Sequence, residues 1–337
     1  MRPILTIAIP TYNRARYLRP LLDILQTEIS AISNGPEQVE VYVSDNDSTD
    51  NTREILDRFR EFPFFSIRQQ SENIGPSRNV ESCFANAQGR FVWILGDDDR
   101  PRQGLVRALV AMLEKHSPAL VFLRGAASNE LPPFGLAENL TFSKPSRHQF
   151  LSQTGINLTF ISSVVVDKDR ARLGNLHGPS DVPSLPHLRW LFPLLKQGQD
   201  LVISSGIVLD ATAGNTGGYN AIETFGVGFP NAVKQFFDFE SDPDSVLLLH
   251  ELHARFLPWL VWEIRFGMFR AVFEVDKSLR DCMEANRSSR RFLALTWPIA
   301  NAPRPIALTF FTLSKAWFAA DSKWRARFAY GNVLQLS

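Results

Sequence analysis

Three polar clusters in this 337-residue chain each follow a short apolar run: "PTYNR" closes residues 4–9, "SDNDSTD" closes 39–43, and "GDDDRP" closes 90–95. Carboxylates, hydroxyls, amides and a guanidinium so placed are the groups that bind phosphates, ribose hydroxyls and divalent cations. The run Asp97, Asp98, Asp99 asks the sharpest question, because adjacent carboxylates repel one another. A Mg²⁺ or Mn²⁺ ion above it supplies a reason, since both prefer carboxylate oxygen, keep several waters and are usually completed by substrate phosphates. The plainer alternative is a solvated turn before Pro101. Alone, "PTYN" is an ordinary turn, and Ser48 or Asp50 suits a helix cap. Three such loops on one sheet edge are harder to dismiss.

The elements that must position them read as an alternation. Residues 4–9, 39–45, 65–70 and 90–95 are β-branched or aromatic runs, and 119–125, 161–168 and 200–212 continue the series. Between them, 13–29, 48–62, 76–88, 104–116 and 185–198 carry apolar residues at helical spacing. This order predicts an α/β fold built from βαβ units on a mainly parallel sheet that extends to about residue 220. Ligands collect at the carboxyl ends of strands in such sheets, where the three polar clusters stand. Residues 126–150 read as a Pro- and Gly-rich excursion, and 211–220, "ATAGNTGGYN", as a loop with free amides that either connects or closes over a diphosphate. Beyond Pro230 the pattern turns helical, above all over 244–275.

The succession "IPTYNR", "VSDNDSTDNT", "NIGPSRN" and "WILGDDD" resembles the inverting glycosyltransferases of family 2, which have the GT-A fold, a Rossmann-like nucleotide-diphospho-sugar transferase architecture. Within that family it looks most like the abequosyltransferase-like branch, which adds deoxyhexoses during O-antigen assembly. The resemblance implies that Pro10, Thr11, Tyr12, Arg14, Asp45 and Asn73 line the nucleotide-sugar site and that Arg78 holds the nucleotide, its fork of donors suiting a base edge or phosphate. It implies that Asp98 is the last aspartate of the Asp-x-Asp metal motif, with Asp97 as its spacer and Asp99 beside it, binding Mn²⁺ or Mg²⁺. The motif's first aspartate falls on Gly96, a departure the deoxyhexose branch shares.

The chemistry implied is displacement at an anomeric carbon, with inversion and a nucleoside diphosphate leaving. A cation at Asp98 stabilises the charge that develops there. The acceptor hydroxyl needs a general base. The Glu-Asp pair that most of the family uses is missing, and "HGPSDVPSLPHLRW" (177–190) stands in its place. His187 falls closest to the missing acid, with Asp181 the competing candidate; a structural role for His187 is the plainer reading of a lone helix histidine.

Composition bounds the rest. With 45% hydrophobic residues the chain builds a real core, and a formal charge of +1 points to no polyanionic partner, so nucleic acid is not expected. Cys83 and Cys282 show neither metal spacing nor a disulfide framework, which fits a reducing compartment. The apolar run at the N-terminus is too short for a signal peptide's core, and nowhere do eighteen uncharged apolar residues follow one another. The charge is uneven. Residues 286–337 hold eight Lys or Arg against one Asp, net +7, leaving the first 285 with 28 basic and 34 acidic residues, net −6. In that tail the cations alternate with Trp297, Phe310, Phe311, Trp317, Phe318 and Trp324, as in a helix lying on an anionic membrane surface. Inward packing of those aromatics is the competing reading. The expectation is a catalytic domain over 1–230 (1–125 binding the nucleotide sugar, 126–230 on the acceptor side) and a helical region over 231–337. The enzyme would sit in the cytoplasm, peripherally on the inner face of the cell membrane, and act on a glycan or polyprenyl-diphosphate-linked acceptor. A nucleotidyltransferase, or a nucleotide-sugar-binding protein without turnover, are the alternatives; "IPTYNRARY" lacks the glycine-rich signature and lysine of the former.

Overall fold

The computed structural model describes residues 2–128, 140–173, 184–212, 220–267, 275–326 and 332–334. Its strands are β1 (Leu5–Thr11), β2 (Val39–Asp45), β3 (Phe65–Gln69), β4 (Phe91–Ile94), β5 (Arg100–Pro101), β6 (Leu120–Ser128), β7 (Phe142–Lys144), β8 (Val164–Asp167), β9 (Leu201–Thr212) and β10 (Asn332–Leu334). They form one sheet in the order β10-β7-β9-β6-β8-β4-β1-β2-β3, with β5 paired to β9 at the side. β1 lies parallel to β2 and β4, β2 to β3, and β6 to β9. β8 runs antiparallel between β4 and β6, and β7 and β10 add an antiparallel edge.

The central strands β1, β2 and β4 are almost entirely buried because both faces are covered, and the polar pair inside them is satisfied, Thr6 donating its hydroxyl to Glu40 at 2.6 Å. In β1, Leu5, Ile7 and Ile9 enter one core while Ala8 enters the other. Helices Ala15–Ser30 and Leu105–His116 cover the first face, with Leu18, Leu21, Leu22 and Leu25 recurring at helical spacing. Helices Pro76–Asn86 and Leu188–Gln197 cover the second, where Phe84 stacks on Trp190 with ring centroids 4.1 Å apart. That second core runs without a break through Phe192 and Phe229 to Leu260, Phe292 and Phe311. The C-terminal helices are therefore packed on the sheet, and Arg147 adds a two-pronged ion pair to Asp242, at 2.6 and 2.7 Å. Each of these fully buried aromatic or aliphatic side chains contributes roughly 1.5–3 kcal/mol.

Four features differ from the sequence reading. Helical structure begins at Ile222, ahead of Pro230. The segment 126–150 includes β7 and a helix, Arg147–Thr154, whose start is a capping box: Ser146 accepts from the Gln149 amide and Gln149 from the Ser146 amide. The long run after 244 is helical from Leu247 to Phe266, with a π-turn at Leu252–Phe256 just before Pro258, where proline offers no N–H to the preceding turn. β10 returns from the C-terminal region to the sheet, so the sheet does not end near 220. Both cysteines are free and buried, and burial pushes their thiols up, out of the reactive range.

Candidate active site

Sheet order brings two of the polar clusters into direct contact. β1 lies between β2 and β4, so the loops leaving all three share one edge. Thr11, at the end of β1, donates its hydroxyl to Asp97 Oδ2 at 2.7 Å. Arg14, at the head of helix Ala15–Ser30, places Nε 2.7 Å from Asp97 Oδ1 and an Nη 2.7 Å from Asp98 Oδ2, and its guanidinium lies 4.7 Å from the Tyr17 ring centroid. One cation thus offsets two adjacent carboxylates.

The third aspartate is held differently. Asp99 accepts a hydrogen bond from the Ser162 hydroxyl, and the Gly96 amide donates to the same Ser162 oxygen at 2.9 Å. A Cβ on Gly96 would lie 2.7 Å from Asp99 Oδ2 and 3.3 Å from Ser162 Oγ. The missing first aspartate therefore has a steric reason: the Asp99 carboxylate stands where a side chain at 96 would begin. On the far side, Thr212 at the end of β9 donates its hydroxyl to the Asp98 carbonyl at 2.6 Å.

Burial is the main influence on these acids. It pushes Asp97 up to about 6 against the pull of Arg14 and Thr11, and Asp99 up to about 7 against Ser162, with Asp98 adding repulsion to both. Asp98 is the most open of the three, its side chain 15% exposed against 6% for Asp97.

The second cluster ties itself and its neighbours. Asp45 Oδ1 accepts from the Ser48 amide at 3.1 Å and the Ser48 hydroxyl at 2.5 Å. Asn13 adopts a left-handed backbone (φ 53°), and its amide oxygen accepts from the Thr49 and Asp50 amides at 2.7 and 3.3 Å. Asp50 accepts from the Thr52 amide at 3.0 Å and from the Ala15 amide at 3.1 Å, so it ties the start of helix Thr52–Phe59 to the β1 loop, although the N-cap position itself is Asn51. Asn46 donates to Asn73 at 2.9 Å and accepts from the Ile74 amide, joining the "NIGPSRN" loop to β2. Gly75 takes φ 86°, which glycine tolerates, and Pro76 then opens the helix that carries Arg78. Arg78 is exposed and forms no ion pair among the described residues; Tyr12, just after β1, is 40% exposed, and Pro10 is half-buried within β1.

The two candidate bases fare unequally. His187 is 2% exposed, immediately before helix Leu188–Gln197, with Nε2 3.2 Å from the Leu158 carbonyl oxygen, and burial pushes it down to about 4. The structure thus corrects the picture of a histidine open to an acceptor: the ring is packed in the core. Asp181 and residues 213–219 of the glycine-rich loop lie outside the described residues. Asn13, Asn46 and Ser162 were not singled out by the sequence reading. An Asn after a strand-ending turn is a legible signal for the first two; nothing local marks Ser162.

His187 and the buried His253, also pushed down to about 4, carry a pH prediction. Unfolded, each takes a proton near pH 6.5; folded, it resists until about 4, so stability falls as pH drops through that window. Asp97 and Asp99 act in the opposite sense over about 4–7, since their folded forms favour the proton. His187→Gln is expected to flatten the acid limb of a urea-denaturation series between pH 6.5 and 4; an unchanged slope would remove His187 from it.

This is a GT-A architecture: strand-end loops gathered over an acidic run beside a doubly covered sheet. The family model "Glycosyl transferase family 2" matches residues 6–164. Residues 6–164, a little under half of the chain, are thus similar to glycosyl transferase family 2. It is 38% identical over 98 residues to abequosyltransferase RfbV of Salmonella typhimurium, a match covering 28% of each chain. The crystal structure of S. aureus TarS 1-349 superposes with a TM-score of 0.63 at 15% identity, covering 95% of this chain and 92% of that one. Mannosyltransferase PcManGT from Pyrobaculum calidifontis, solved in complex with GDP-Man and Mn²⁺, gives 0.54 at 19% identity, covering 96% and 87%. The last two likenesses are of fold.

Proposed function

We propose that the chain transfers a sugar, in the abequosyltransferase-like reading a deoxyhexose, from a nucleoside-diphosphate donor to a glycan or polyprenyl-diphosphate-linked acceptor, with inversion. The observation that carries this is the linkage of the β1 loop through Thr11 and Arg14 to Asp97 and Asp98, next to the β2 loop organised by Asn13. In this reading Tyr12, Asp45, Asn73 and Arg78 meet the nucleoside, and Arg14 is poised to turn from the aspartates to the diphosphate.

A divalent cation fits this donor set only if it brings ligands of its own. Among the described residues no group of three His, Cys, Asp or Glu is placed to hold one. Asp97 is committed to Thr11 and Arg14, and Asp99 to Ser162. Asp98 would hold the ion, with phosphate and water completing it. When bound it supplies positive charge to the leaving diphosphate. Asp99 supports the loop from beneath Gly96. For the general base the candidates are His187, whose Nε2 meets the Leu158 carbonyl while its buried Nδ1 has no partner, and Asp181, which lies outside the described residues.

A thermal-shift panel of UDP, GDP, dTDP and CDP with and without Mn²⁺ tests the reading. At least one nucleotide is expected to raise Tm by several degrees, more with the ion. No shift from any of them would sink it, and release of nucleoside diphosphate from the matching sugar donor separates turnover from mere binding.

A membrane surface is the second part of the proposal, and its support is the outer face of helix Arg304–Ala326. Phe311 packs inward against Trp262, and Trp317 against His250, so part of the aromatic tail is core. Leu293, Trp297, Ile306, Leu308 and Leu313 are exposed, and Lys315 is the one charge among the exposed residues from 305 to 320. No Asp or Glu occurs from 285 to 320, while Arg287, Arg290, Arg291 and Arg304 do. Among the described residues no helix is long and apolar enough to cross a membrane, so this face would lie on the surface. Truncation near 285 would strip Phe292 and Phe311 from the core; Leu308→Glu with Leu313→Glu is the cleaner test. That variant is expected to lose co-sedimentation with phosphatidylglycerol vesicles at unchanged Tm, and undiminished binding would defeat the surface.

A further inference from the structure

A cleft of about 560 Å³ opens between the turn at Gly155–Thr159, the helical run Leu247–Phe266 and helix Arg304–Ala326. Its walls are mainly aromatic: Phe225 meets Phe256 edge-on at 5.0 Å, and Phe256 leads to the exposed Trp259 at 5.7 Å. Phe160 is part of the lining and stands two residues before Ser162, the hydroxyl that holds Asp99.

Its polar groups say what it would take. The Thr159 hydroxyl donates to the Ile156 carbonyl at 2.7 Å and that of Ser314 to the Phe311 carbonyl at 2.8 Å. Asn157 donates to Glu251 at 3.0 Å, and Glu251 also pairs with Arg255. The groups that would bind sugar hydroxyls are therefore spent on the protein. What remains is aromatic carbon and cationic charge: Lys315 over the Phe311 ring at 4.3 Å, with no carboxylate paired to it among the described residues, and Arg255, which lies over the Phe318 ring at 5.0 Å while also paired with Glu251. Apolar walls with cations at the rim fit an apolar chain ending in an anion.

We propose that this cleft binds a phosphorylated hydrocarbon chain, with Lys315 and Arg255 on the phosphate and Phe225, Phe256 and Trp259 around the first carbons. The inference rests on the proposed acceptor and gives that acceptor's lipid portion a seat. Lys315 also borders the uncharged outer face of its helix, so a chain leaving the cleft passes directly onto the surface proposed to meet the membrane.

The test is calorimetric binding of farnesyl diphosphate to the full chain, with farnesol and inorganic diphosphate as separate arms. Farnesyl diphosphate is expected to bind, and Lys315→Gln and Trp259→Ala each to weaken it roughly tenfold or more, in line with loss of a charged hydrogen bond or a buried ring. The nucleotide thermal shifts should be unchanged in both variants, which verifies folding and an intact donor site. Equal affinity in wild type and both variants, or equally tight binding of inorganic diphosphate alone, would overturn the proposal. If nucleotides bind and farnesyl diphosphate does not, only the cleft assignment fails; if no nucleotide binds, the transferase reading fails independently.

Discussion

Gly96→Asp is expected to abolish transfer rather than improve it, although it writes the family's usual first aspartate back into the loop. The new Cβ alone would come within 2.7 Å of Asp99 Oδ2, and the Asp99 carboxylate is fixed by Ser162. A fourth carboxylate would then join three that already repel, two of them pushed up to about 6 and about 7 by burial. Overpacking of this kind costs roughly 1–3 kcal/mol, and like-charge repulsion adds to it. The measurement is kcat/KM for donor turnover together with Tm. A drop of about a hundredfold or more with a lower Tm is expected; a variant as active as wild type would show that Asp99 and Ser162 do not occupy this place in the working enzyme.

Asp98→Asn and Asp97→Asn are expected to separate turnover from architecture. Asp98→Asn keeps the side chain's shape and leaves Arg14 its pairing with Asp97, so Tm should move little while kcat/KM falls about a hundredfold, equivalent to about 2.7 kcal/mol of barrier. Asp97→Asn disturbs a buried acceptor shared by Thr11 and Arg14, which costs roughly 1–3 kcal/mol of stability. Should Asp98→Asn retain full turnover with any Mn²⁺ dependence intact, the ion would have to be held elsewhere.

The sheet was legible wherever burial on both faces forces consecutive apolar residues, as in β1, β2 and β4. β5, β7 and β10 were not, because two or three residues show no period, and β10 pairs with a partner far earlier in the chain. The helix Arg147–Thr154 left only its Ser146 and Gln149 box as a signal. In the site, the residue types were readable at Thr11, Asp45 and Asp98, since each ends a strand or closely follows one. Their partnerships were not: Arg14 meets Asp97 and Asp98 only because β1 and β4 are neighbours, and Ser162 reaches Asp99 from the turn that enters β8. His187 shows the limit of such reading, because its spacing fits a catalytic place while burial assigns it to the core.

The pairing of Asn332 with Lys144 sets a timetable. A ribosome delivers the donor-binding strands early, yet the edge at β7 gains its neighbour only after residue 332 has been made. Until then β7 exposes unpaired amides and carbonyls, and the second core still waits for Phe292 and Phe311. Vectorial synthesis therefore leaves the β7 edge bare until the segment around residue 332 has emerged to close it.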